Sequence, residues 1–87
     1  MITFWYRVRR VNNENNEIVG SFQSNNEKMA RNCFQQWVNG NRKRNYTIEY
    51  WLTNRKGEWI KKFSVNGLTG ISYRDIIKSS KERKHKT

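Results

Sequence analysis

Proline is absent from this chain, and cysteine and histidine occur once each, as Cys33 and His85. A single cysteine excludes an intrachain disulfide, and one Cys with one His cannot assemble a zinc-ligand cluster. The seven acidic residues are scattered, so no carboxylate pair stands out for acid–base work, and no glycine-rich phosphate loop occurs. No apolar run approaches the roughly 20 residues that span a bilayer. Met1–Tyr6 runs into charge instead of a hydrophobic leader, so no signal peptide is expected and the expected location is cytoplasmic. These absences leave little room for catalysis, and neither cofactor nor metal is expected. His85 falls in a basic tail, a poor position for a general base, and Cys33 falls on an apolar helix face, where a small buried hydrophobe is the simpler reading. A metal-free ribonuclease built from Lys, Tyr and Arg is the enzymatic alternative left open.

What the chain does hold is positive charge and aromatic rings. Eighteen Lys and Arg outnumber seven Asp and Glu, a net charge of +11 at pH 7, in 87 residues. Excess charge of one sign repels itself in a compact monomer, and an anionic partner relieves that repulsion. Four Trp, four Tyr and four Phe supply a small aromatic core, although hydrophobic content is only 34%. A chain this short closes one core, not two. The expected organisation is one domain over residues 1–78 and a basic tail over 79–87.

Hydrophobic periodicity predicts an α+β fold of order ββαββα. Residues 2–11 alternate, with Ile2, Phe4, Tyr6 and Val8 on one face and Trp5, Arg7 and Arg9 on the other. The Asn12–Asn16 cluster reads as a turn into a strand over 17–23. Ser24 and Glu27 fit a capping box for a helix over 25–39, with Ala30, Cys33, Phe34, Trp37 and Val38 on its apolar face and Gly40 as a left-handed stop. Tyr46–Thr53 alternates again, Gly57 marks a tight turn, and 58–65 reads as a fourth strand. Strict alternation there groups Trp59, Phe63 and Val65 on one face and Ile60 and Lys62 on the other. Ser72 can cap a short last helix, with Asp75 placed for a second capping box. The expected architecture is an antiparallel four-stranded sheet with the central helix packed on one face, over Phe4, Tyr6, Ile48, Tyr50 and Phe63, and a short C-terminal helix.

The opposite sheet face would then present Trp5, Arg7, Arg9, Trp51, Ile60 and Lys62. Rings interleaved with cations suit a single-stranded nucleic acid, since rings stack on bases while guanidinium and ammonium groups meet phosphates. Arg also stacks, so the first-strand arginines count for more than lysines would. The competing reading buries Trp5, Trp51 and Ile60 under the last helix or under a second copy in a homodimer. Arg42, Lys43 and Arg44 form a basic connector within reach of a phosphate backbone, extended by Arg31 on the polar helix face and by Arg55-Lys56 and Lys61-Lys62 in a second basic hairpin. The same run also reads as a solvated linker. The tail, with Lys78, Lys81, Arg83, Lys84 and Lys86, is either an electrostatic arm or a solubilising end.

The richness in Asn and Lys, the lack of proline, the brevity and the ββαββα pattern are carried by Asn12–Asn16, Asn25-Asn26, Arg42-Lys43-Arg44 and the Lys/Arg tail. In these respects the chain resembles the small basic accessory and counter-defence proteins of large AT-rich bacteriophages. The resemblance is compositional and spans the whole chain; it implies nucleic-acid binding or blockade of a host defence system, with an RNA-binding factor that neutralises an RNA-cleaving toxin as one form. It assigns no residue a role. The RNP motifs of an RRM and the GxxG of a KH domain are missing, as is the αβββα order of a double-stranded RNA-binding domain.

Two function classes follow. The first is a non-enzymatic, largely sequence-tolerant binder of nucleic acid, with RNA favoured over DNA because no recognition helix is evident; Asn and Gln on the helix's polar face, which can read adenine, keep duplex DNA open. The second is an inhibitor that docks its basic surface on an acidic host protein, such as a toxin or defence component. No membrane partner is expected.

Overall fold

In the computed structural model of the protein, which describes residues 3–78, two β-hairpins are joined through their first strands. The elements run β1 (Tyr6–Asn12), β2 (Ile18–Ser24), α1 (Glu27–Gly40), β3 (Tyr46–Thr53) and β4 (Trp59–Asn66). A 3-10 turn at Gly67–Thr69 leads to a short helical segment, residues 73–78. The fold is α+β, and the sheet is antiparallel throughout with order β2-β1-β3-β4. Ile2, the expected start of the first strand, and the 79–87 tail lie outside the described residues.

Asparagine shapes both hairpin turns. Asn12 Oδ1 accepts from the Glu14 amide, Asn15 Oδ1 accepts from the Glu17 amide, and Asn16 takes the left-handed conformation (φ 60°). In the second turn Asn54 Oδ1 accepts from the amides of Lys56 and Glu58, and Gly57 supplies φ 82°. A short carbonyl side chain that bonds backbone amides two or more residues on replaces the missing strand partners.

The helix starts later than the sequence pattern predicts. Asn26, not Ser24, is the N-cap: its Oδ1 accepts from the Met29 amide, while Ser24 Oγ accepts from the Asn26 amide as β2 ends. Both residues can cap, and the strand pairing of Ser24 with Tyr6 decides between them. Gly40 stays inside the helix. The stop is made by Asn41, whose amide and side-chain Nδ2 both donate to the Trp37 carbonyl, and which is buried.

Ala30, Phe34 and Val38, spaced four apart, bury one stripe of α1 against Val8, Ile48 and Tyr50 of the central strands. Phe34 sits edge-on to Tyr50, Phe63 and Tyr73, with centroids 5.6, 5.1 and 5.9 Å away. Tyr73 and Ile76 join this core, so the 73–78 segment lies on the helix side of the sheet. Gly67 is fixed by contact: a Cβ there would run into the carbonyl oxygens of Asn41 and Arg44. That close approach docks the α1–β3 connector on the 67–70 turn, with the Lys43 amide donating to the Gly67 carbonyl at 2.6 Å.

One irregularity changes the face pattern. Trp51 pairs with Lys61 but Tyr50 pairs with Phe63, so Lys62 is an extra residue in β4. A bulge reverses the alternation on one side of it. Trp59 therefore lies opposite Thr53 on the open face and not with Phe63 and Val65, whereas Ile60 lies opposite Leu52 on the helix side. Lys62 also turns to the helix side, among Phe63, Tyr73 and Arg31. The expected placement of Ile60 and Lys62 on the open face is thus corrected, because strict alternation cannot anticipate an inserted residue.

Candidate nucleic-acid interface

The face of the sheet away from α1 carries Arg7 and Arg9 from β1, Glu49 and Trp51 from β3, and Trp59 and Lys61 from β4. Trp5 extends it by register: its amide donates to Thr53 Oγ1 at 2.9 Å, and its carbonyl accepts from the Thr53 amide at 3.0 Å. No described helix covers this face, since α1 and the 73–78 segment both pack on the other. Burial of Trp5 and Trp51 by the last helix is therefore excluded for the described residues, and Trp5 remains 40% exposed.

Cations and rings on this face are paired. The Arg7 guanidinium lies over the Trp59 ring at 3.9 Å from its centroid, and the Arg9 guanidinium lies over Trp51 at 5.1 Å. Such cation–π contacts limit the rotamers of long side chains. Arg7 is braced further by donating from Nε and one terminal nitrogen to Gln23 Oε1, at 3.2 and 2.8 Å. Its remaining donors have no hydrogen-bond partner among the described residues. Burial, and then the charge of Arg9, pull the Arg7 pKa down from its ordinary value. Two neighbouring guanidiniums that disfavour each other are relieved by an anion placed between or above them.

Glu49 is the acidic residue inside this patch. It accepts from Trp51 Nε1 at 3.0 Å and faces Lys61 Nζ at 3.8 Å. The indole is thereby oriented and Lys61 is partly neutralised. Arg7, Arg9 and Lys61 against Glu49 leave the face positive.

The predicted site residues separate into four places. Trp5, Arg7, Arg9 and Trp51 come together on the open face, joined by Trp59 and Lys61, which the β4 bulge hid from the sequence pattern. Arg31 and Lys62 lie on the opposite side, lining a cleft, with Arg31 3.6 Å from Glu27. Arg42, Lys43 and Arg44 stand at the end of the sheet where β3 begins, and Arg55 and Lys56 at the other end, in the β3–β4 turn. The basic connector is more than a solvated linker: Arg42 Nε donates to the Gly70 carbonyl at 2.9 Å, and Lys43 holds φ 63°. Arg10, passed over in the sequence, points to the helix side, 5.2 Å over Tyr46, with its Nε buried and unpartnered among the described residues.

Burial raises the Cys33 pKa, which lowers the thiolate fraction and argues against a nucleophile there. Among the described residues no three of His, Cys, Asp and Glu gather as a metal site, and no helix is long and apolar enough to cross a membrane. No protein-family model, curated protein or solved structure matches the chain.

Proposed function

We propose that the protein is a non-enzymatic binder of single-stranded nucleic acid, RNA in preference to DNA, that reads little sequence. The observation that carries this reading is the pair of cation–π units on a sheet face that no described helix covers, Arg7 over Trp59 and Arg9 over Trp51. Each unit offers a flat surface for a base and guanidinium donors for the phosphate beside it. Successive bases can stack without hydrogen-bonded readout, because every base has a π-face. A duplex offers its bases edge-on and has no need of such a surface; it would instead use the exposed Asn32, Gln35 and Gln36 of α1, away from these ring and cation pairs. The net charge of +11 supplies long-range attraction to the strand. Given the bacteriophage-like composition, the setting we favour is counter-defence, with bound RNA shielded from a host nuclease.

A labelled single-stranded RNA of about ten nucleotides tests the reading in a salt titration. The logarithm of affinity should fall with the logarithm of salt concentration, by roughly 0.7 per phosphate neutralised. A flat response removes the electrostatic mechanism. Capture of an acidic protein by material that ignores RNA would favour the protein-inhibitor reading instead.

A further inference from the structure

The helix side of the sheet holds a cleft of about 800 Å³ between the first turn of α1, β4 and the 73–78 segment. Its volume and lining fit a small-molecule site: apolar and aromatic walls with a few polar groups at the rim. Phe63 forms part of the floor. One face of its ring is stacked on Tyr50, with centroids 5.0 Å apart and planes 8° from parallel, and Phe34 meets it edge-on at 5.1 Å. Phe63 nonetheless remains 42% exposed, and among the described residues no ring other than Tyr50 and Phe34 packs on it. The charged groups at the rim are Arg31, Lys62 and Glu27, two positive and one negative.

We propose that this cleft holds a single nucleotide, its base against Phe63 and its phosphate at Lys62 and Arg31. A planar ring with an attached anion is the chemistry that both features recognise together. The inference rests on the nucleic-acid reading above and adds a second contact to it. The β4 bulge supplies the route: consecutive lysines point to opposite faces, Lys61 to the open face beside Glu49 and Lys62 into the cleft. A strand lying on the Trp51 and Trp59 platform can cross the β4 edge along these two cations and place its next base in the cleft. The same chemistry also describes a free nucleotide, and the test separates the two sources.

The full chain, labelled with nitrogen-15, is titrated with AMP and separately with a ten-nucleotide RNA. AMP should shift the amides of Lys62, Phe63 and Tyr73 while leaving those of Arg7 and Trp51 in place. Lys62→Glu should weaken AMP binding by about tenfold or more, as expected for loss of a charged contact to phosphate. Lys61→Glu should leave AMP affinity unchanged and weaken the RNA. Both lysines are exposed, so neither variant disturbs the core. RNA that shifts both sets of amides supports a strand-borne nucleotide; AMP binding with RNA shifts confined to the platform supports a free one. RNA binding with no AMP response overturns the cleft and leaves the platform standing. An AMP response with no RNA binding does the reverse. Equal loss of AMP affinity in the two lysine variants would overturn the assignment of Lys62 to the phosphate.

Discussion

The two faces of this sheet use the same residue types in opposite ways. Around Phe34 on the helix side rings pack on rings: Tyr50 stacks on Phe63, Phe34 sits edge-on to Tyr50, Phe63 and Tyr73, and cations stand at the rim of the cleft. Arg10 over Tyr46 is the one cation–ring pair among the described residues of that side. On the open side two of the three tryptophans are matched with a cation, Trp59 with Arg7 and Trp51 with Arg9. The first arrangement removes apolar area from water and holds the fold. The second leaves rings and charges at the surface, oriented by one another and by the Gln23 and Glu49 side chains. Aromatic content alone does not separate a core from an interface; the neighbours of each ring do.

Substitutions on the two faces should therefore part in what they damage. Phe34→Ala removes the ring on which three other rings converge and is expected to cost about 3–5 kcal/mol, a large share of the stability of a domain this small. Urea denaturation followed by circular dichroism measures it; a loss below about 1 kcal/mol would mean that the helix-side cluster does not hold the fold. Trp59→Ala should lower RNA affinity by roughly 1–3 kcal/mol with little change in stability. Large destabilisation or loss of a dimer in that variant, with normal affinity per folded molecule, would turn the open face into an interface between copies.

Smaller effects sharpen the contrast. Glu49→Gln keeps an acceptor for Trp51 Nε1 but removes the negative charge from the platform and frees Lys61. RNA affinity should rise by up to about 1 kcal/mol, most clearly at low salt. Unchanged affinity would place the strand away from Glu49.

Tyr50→Phe probes the helix side with the least perturbation. The Tyr50 hydroxyl is buried without a hydrogen-bond partner among the described residues, and burial raises its pKa, an effect that nearby Arg31 opposes. At pH 7 the variant should be as stable as the parent or slightly more so, since no bond is lost. A raised folded-state pKa means that the folded protein holds the proton more tightly. The resulting stability is fully present below the unfolded-state value and is lost as pH rises through the folded-state value. Melting temperatures should fall less steeply for the variant than for the parent above about pH 10, the ordinary tyrosine value. Parallel curves would show that Tyr50 does not titrate with unfolding.

The contrast between faces was half legible in the linear chain. Alternation in β1 and β3 separates Arg7, Arg9 and Trp51 from Tyr6, Val8, Ile48 and Tyr50, and the four-residue spacing of Ala30, Phe34 and Val38 marks the packing stripe of α1. Beyond the bulge the same rule assigns Trp59 to the core and Lys62 to the platform, reversing both. Nothing in the run Trp59–Val65 signals the extra residue, because a bulge is decided by how β4 meets its neighbour β3. The helix start shows the same limit. Ser24 and Asn26 are both competent caps, and pairing of Ser24 with Tyr6 across β1 and β2 leaves the role to Asn26.

Charge, composition and hydrophobic period are properties of the chain, so the excess of positive charge, the single small core and the ββαββα order follow from the sequence by itself. Which ring meets which cation depends on register and on strands distant in sequence. Arg7 and Trp59 are brought to 3.9 Å across the sheet only because β3 lies between their strands and β4 carries an inserted residue. The division of Lys61 from Lys62 has the same origin. Local spacing sets the side of a strand on which a residue starts, and tertiary pairing decides the side on which it ends.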